Sequence, residues 1–80
     1  MGNLSQSANN VFDSGIYNVV SNYDVPYNYG VLLVLESQKG TSSAYILQVF
    51  FERKASGQKI YWRTGTRTIG YYESWVALPS

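Results

Sequence analysis

The sequence predicts a small all-β domain: an antiparallel sheet or sandwich-like fold of about five short strands, with no significant helix. Short runs of β-branched and aromatic residues recur along the chain, and such residues suit a pleated, half-buried surface. Clusters of Gly, Ser, Asn, Asp and Pro separate these runs and supply the φ values and local hydrogen bonds that turns need. Nowhere do apolar residues repeat at the three- and four-residue spacing of an amphipathic helix.

Residues 1–12 open with a Ser/Asn/Gly-rich stretch in which Leu4 is the one large apolar side chain before Val11, apart from the initial Met1, and they read as a linker or lead. The domain is expected over residues 13–80. Gly15 to Val20 forms a first strand, with Ile16, Tyr17, Val19 and Val20 following an Asp13-Ser14-Gly15 turn signal. Ser21 to Gly30 is too rich in Asn, Asp, Pro and Gly for regular structure and forms a loop carrying Tyr23, Tyr27 and Tyr29. Val31 to Leu35 is five consecutive apolar residues, the pattern of a central strand covered on both faces. Ser37 to Ser43 is a Gly-centred turn, and Ala44 to Arg53 is a third strand rich in Tyr, Ile, Val and Phe. After a tight connection at Lys54 to Gln58, Lys59 to Thr64 alternates Ile60, Trp62 and Thr64 with Lys59, Tyr61 and Arg63, the period-two signature of a strand. Thr64 to Gly70 reads either as an extension of that strand or as a loop, and Tyr71 to Leu78 closes the domain with a last short strand.

With 80 residues, 45% hydrophobic and 14% charged, and a net charge of +1, the chain has the composition of one folded domain rather than of a disordered segment. A domain of this size buries only about 60% of the surface of its unfolded chain. Thirteen aromatics (eight Tyr, three Phe, two Trp) enlarge the core, and burial against other copies of the chain is the second route to stability. Cys and His are both absent, which removes disulfides, thiol nucleophiles, imidazole bases and Cys/His metal sites. No cofactor or metal is expected. No apolar run approaches the roughly 18 residues of a membrane helix, and the N-terminus shows no signal-peptide pattern, so neither membrane insertion nor export by its own signal is expected.

The acids Asp13, Asp24, Glu36, Glu52 and Glu73 lie singly at turns and strand ends. They form no pair of the kind that glycoside hydrolysis needs, and the turn serines have no base to activate them, so the chain is not expected to be an enzyme. Lys59, Tyr61, Trp62, Arg63 and Arg67 interleave cations with rings as single-strand binders do, giving a small β-barrel that binds single-stranded nucleic acid as the alternative function. The low net charge offers that reading little counterion-release energy. The tyrosines of Tyr23-Asp24-Val25-Pro26-Tyr27-Asn28-Tyr29 have the chemistry of a recognition loop, rigid amphipathic rings among hydrogen-bonding groups. Such rings receive the apolar face of a sugar. Packing as a lid over the small core is the competing role for Tyr27 and Tyr29.

From Asp13 onward the order of features resembles the pyocin knob domain of phage tail fibres and phage-tail-like bacteriocin fibres. The resemblance rests on Gly15-Ile16-Tyr17-Asn18-Val19, on Pro26 with Tyr29-Gly30-Val31-Leu32-Leu33-Val34, on Gln48-Val49-Phe50-Phe51, on Lys59-Ile60-Tyr61-Trp62-Arg63, and on the ending Trp75-Val76-Ala77-Leu78. Tyr72 stands where the family often has the first Trp of W-x-x-W, and Trp62 is bulkier than the usual aliphatic. The resemblance implies a non-enzymatic knob-like module of a homotrimeric fibre, assembled in the host cytoplasm as part of a virion tail and adhering to bacterial surface polysaccharide. Within that reading the glycan contacts fall on Tyr23, Asp24, Tyr27 and Asn28 of the loop, with Arg63 meeting an acidic substituent.

Overall fold

The computed structural model of the chain describes residues 2–37, 45–71 and 74–78. The structure is nearly all β, as the sequence predicts, and it is built on one mixed sheet rather than a two-sheet sandwich. Among the described residues, seven strands run β1 Gly2–Asn3, β2 Gly15–Val19, β3 Gly30–Glu36, β4 Tyr45–Glu52, β5 Ile60–Thr66, β6 Gly70–Tyr71 and β7 Val76–Leu78. The order across the sheet is β1-β2-β3-β4-β5, and β6 and β7 share the outer side of β5. All pairings are antiparallel except β1 with β2, which is parallel. The Gly-centred turn expected at 37–43 lies, beyond Ser37, outside the described residues, as do Tyr72 and Glu73 of the expected last strand.

Because side chains alternate along a strand, register sorts them into two faces. On the front face, Tyr17, Leu32, Phe50 and Tyr61 form one row, and Val34, Gln48 and Arg63 the next. Leu32, Val34, Ile46, Gln48 and Phe50 are all fully buried there. On the back face, Ile16, Leu33, Val49, Trp62 and Val76 are neighbours in a wholly apolar row, and none of them is fully buried. The Val31 to Leu35 run is therefore covered on one side only: Leu32 and Val34 point into the core, whereas Leu35 is exposed and Val31 and Leu33 are half-buried. The expectation of a strand buried on both faces does not hold within one chain. The molecule is a plate of 39 × 28 × 16 Å.

The front face is covered by two segments and by the Trp75 ring, which packs against the core between them. Residues 2–12, expected as a lead outside the domain, are an integral part of it. Their short β1 contact is continued by Leu4 N–H donating to the Asn18 carbonyl at 2.8 Å, and Ala8 N–H donates to the Tyr23 carbonyl at 2.8 Å. Leu4, Ala8 and Val11 are buried, and a single 3-10 turn at Ala8–Asn10, capped by the Ser7 hydroxyl, lets the chain bend over the sheet. The loop after β2 supplies the rest of the cover through Val25, which is buried, and through Tyr23 and Tyr27 packed against the core.

Two glycines mark where backbones approach too closely for a side chain. A Cβ at Gly30 would lie 2.3 Å from the Phe51 carbonyl oxygen and 2.6 Å from the Phe50 ring, and one at Gly65 would lie 2.2 Å from the Gly70 carbonyl oxygen. The first lets the Phe50 ring sit beneath β3. The second lets the turn after β5 double back so that β6 can pair and present Tyr71.

Candidate functional site

Arg63 is the expected ligand-binding cation, and the structure places it in the interior. Its residue is 6% exposed, and its guanidinium lies 4.1 Å from the Tyr71 ring centroid and 4.3 Å from that of Trp75. Nε donates to Gln48 Oε1 at 2.8 Å and Nη1 to Asn9 Oδ1 at 2.8 Å. Nη2 is buried without a partner among the described residues. Gln48 completes the network by donating from Nε2 to the Ala8 and Val11 carbonyls at 2.9 and 3.1 Å. Tyr71 closes it from the other side, its hydroxyl donating to the Val11 carbonyl at 2.6 Å. Burial lowers the Arg63 pKa to about 10, against the pull of Tyr71 and Asp24, and burial raises the Tyr71 phenol to about 12. Arg63 is thus the post to which the N-terminal cover is tied, and it does not reach a rim.

Asp24 is also engaged in building the loop. Its φ of 61° lies in the left-handed region, which Asp tolerates better than most residues. The conformation is held from three sides: the carboxylate accepts from the Ser7 hydroxyl, the backbone N–H donates to Asn22 Oδ1, and the carbonyl accepts from Trp75 Nε1. Tyr23, half-buried, packs against the core. Of the loop residues expected to meet sugar, Asp24 and Asn28 are exposed and Tyr23 and Tyr27 half-buried, and Tyr27 and Asn28 adjoin Tyr29 in one rim.

That rim gains members that sequence reasoning did not select. Tyr29 is 47% exposed, and its ring meets that of Tyr27 edge-on, centroids 6.3 Å apart and planes at 68°. The Arg53 guanidinium lies 5.5 Å from the Tyr29 centroid, and Lys54 Nζ lies 4.8 Å from that of Tyr27. Register brings these groups together, because Gly30 pairs with Glu52 at the end of β4 and Arg53 N–H then donates to the Tyr29 carbonyl at 3.0 Å. The sequence does contain a signal: Arg53-Lys54 follows the third strand as Tyr27-Asn28-Tyr29 precedes the second, and antiparallel pairing of those strands makes the two ends neighbours.

Glu52 anchors the rim from below. Its carboxylate accepts from Lys59 N–H and from the Tyr61 hydroxyl, both at 3.0 Å, and pairs with Lys54 at 3.2 Å. Burial opposes ionisation of Glu52, but the bonds from Lys54, Tyr61 and Lys59 outweigh it and hold its pKa below the ordinary 4.5. A carboxylate depressed in the folded state contributes stability above its unfolded pKa and loses it as pH falls through the folded value. Glu52→Gln should therefore flatten the acid limb of the stability profile, measured as urea midpoints below pH 4.5. An acid limb identical to that of the parent would show that this carboxylate is not what titrates.

The cations of the alternative nucleic-acid face are differently disposed. Arg63 is buried, and Arg67 is bound by Glu36 through Nε at 2.6 Å and by Asp13 through Nη2 at 2.5 Å, so among the described residues Lys59 is the one cation of that set whose side chain is outside such a network.

No family model, curated protein or solved structure matches the chain. The knob-domain resemblance therefore rests on its motifs alone.

Proposed function

We propose that the chain is a receptor-binding and structural module of a phage or phage-tail-like fibre, non-catalytic and homotrimeric, that adheres to bacterial surface polysaccharide. The observation that supports this reading best is the exposed rim in which Tyr27 and Tyr29 carry Lys54 and Arg53 on their rings. A pyranose lays its apolar face on Tyr29, Asn28 meets its hydroxyls, and Arg53 receives a carboxylate in the bidentate geometry that a guanidinium favours. Among the described residues no carboxylate pairs with Arg53, so its charge is available to a ligand. The ligand class that fits is an acidic polysaccharide, one bearing uronate or a comparable anionic substituent.

The test uses an array of purified bacterial surface polysaccharides, with and without uronic acid. Wild-type protein is expected to bind acidic members, and the double variant Tyr29→Ala/Arg53→Gln to bind at least about tenfold more weakly, a loss of about 1.4 kcal/mol. Its thermal midpoint should barely move, since exposed substitutions usually shift stability by less than about 0.5 kcal/mol. Retained binding by the double variant, or no binding by wild type to any member, would count against this site.

A further inference from the structure

We propose that the back face of the sheet is buried against the same face of further copies of this chain. The central row Ile16, Leu33, Val49, Trp62 and Val76 is apolar from β2 to β7, and on one side it is flanked by Val31, Phe51, Ile60 and Leu78, with the uncharged Asn18, bonded to Asn3, at the β2 end of that row. Ile16, Leu35, Phe51, Ile60 and Leu78 are each between 37% and 51% exposed. No charged residue stands in these rows, and among the described residues no segment packs over them. With strands about 4.8 Å apart and about 3.3 Å per residue, the five strands β2, β3, β4, β5 and β7 present roughly 475 Å² in projection. Soluble monomers rarely expose a continuous apolar patch beyond a few hundred Å².

A second copy is the occupant that these observations favour. A face without charge offers no electrostatic feature for a polar partner to complement, whereas it matches itself, and obligate self-interfaces have the composition of a domain core cut in half. Two such faces together bury about 950 Å², close to the roughly 1,000 Å² that a specific interface needs. The unbroken Val31 to Leu35 run gives independent support: continuous apolar strands are those covered on both sides, and one chain covers only one side of this one.

The number of copies rests on the fibre reading, which requires three. Three faces about 24 Å wide close a prism whose walls lie about 7 Å from the axis, within reach of Leu, Phe and Trp side chains.

Light scattering on the 80-residue chain at high micromolar concentration tests the proposal. Wild type should show three times the 9.0 kDa chain mass. Ile16→Lys and Phe51→Lys, both at exposed positions, should return the mass to that of one chain with an unchanged far-ultraviolet β signal. A wild-type mass of two chains that the same variants halve would keep the face as the interface and overturn the threefold fibre reading. A wild-type monomer, or an oligomer indifferent to both variants, would overturn the proposal whatever polysaccharide binding shows. Cross-linking provides a second measurement that does not depend on lysine being tolerated. The chain has no cysteine, so oxidation of Val49→Cys should link copies while Asn28→Cys, on the rim, should not; the reverse pattern would place the interface elsewhere.

Discussion

Gln48→Leu is expected to destabilise the chain by about 2–3 kcal/mol, the cost of leaving a donor of a buried charged group unsatisfied. Gln48 is fully buried and bonds three groups: it accepts from Arg63 Nε and donates to the Ala8 and Val11 carbonyls. Leucine fills similar volume, so the loss comes from polarity rather than from a void. It leaves two of the guanidinium nitrogens without partners, while the Ala8 and Val11 carbonyls each lose one of two donors and keep Val11 N–H and the Tyr71 hydroxyl respectively. For a chain of this length a total stability of about 4–12 kcal/mol is ordinary, so the change removes much of it. The double variant Gln48→Leu/Arg63→Met should recover part of the loss, because it removes the stranded cation along with its partner. Urea unfolding of the two single variants and the double variant reads the coupling directly. A double variant at least as unstable as the sum of the singles would show that the buried charge is not the source of the cost.

The second large effect is expected at Phe50. Its ring is fully buried, packs at 6.3 Å from the Trp75 ring centroid, and occupies the space opened by the missing Cβ of Gly30. Phe50→Ala should cost about 3–5 kcal/mol through lost burial and the cavity left behind. Phe51→Ala, next in sequence but on the exposed back face, should cost far less in the isolated chain. Thermal midpoints of the pair, both read in the monomeric Ile16→Lys background, check this, and equal losses there would mean that the two faces have been assigned in the wrong sense.

This contrast shows what the sequence made legible. Alternation around Lys59 to Thr64 and the apolar runs at 31–35 and 44–53 located the central strands, because side-chain period and turn chemistry act locally. The direction in which Arg63 points was not legible. A cation beside Trp62 reads as the solvent side of the strand, and only the long-range arrival of Asn9, Gln48, Tyr71 and Trp75 makes the inward side habitable for a guanidinium. The N-terminal cover was hidden for a similar reason. Leu4, Ala8 and Val11 follow neither a strand nor a helix period, since the segment binds through carbonyls and a single 3-10 turn. In the loop, Tyr27 and Asn28 stand out as candidates because ring and amide chemistry are visible one residue at a time. Tyr29, Arg53 and Lys54 required the register of β3 against β4, a pairwise property that neither segment carries alone.

The bonds that fasten the front cover also set an order of events during folding. Asn9 to Arg63, Asp13 to Arg67 and Val11 to Tyr71 join residues 54, 54 and 60 positions apart, whereas β3, β4 and β5 pair with their sequence neighbours. Loop-closure entropy favours the neighbours first. Residues 2–8 dock early on β2 and its loop through the short closures Leu4 to Asn18 and Ala8 to Tyr23, whereas the ties from Asn9, Val11 and Asp13 form only once residues 63–71 have been synthesised. In hydrogen exchange the cover is correspondingly the first part to open, and a protease acting on the native ensemble would find its earliest cut there rather than in the sheet.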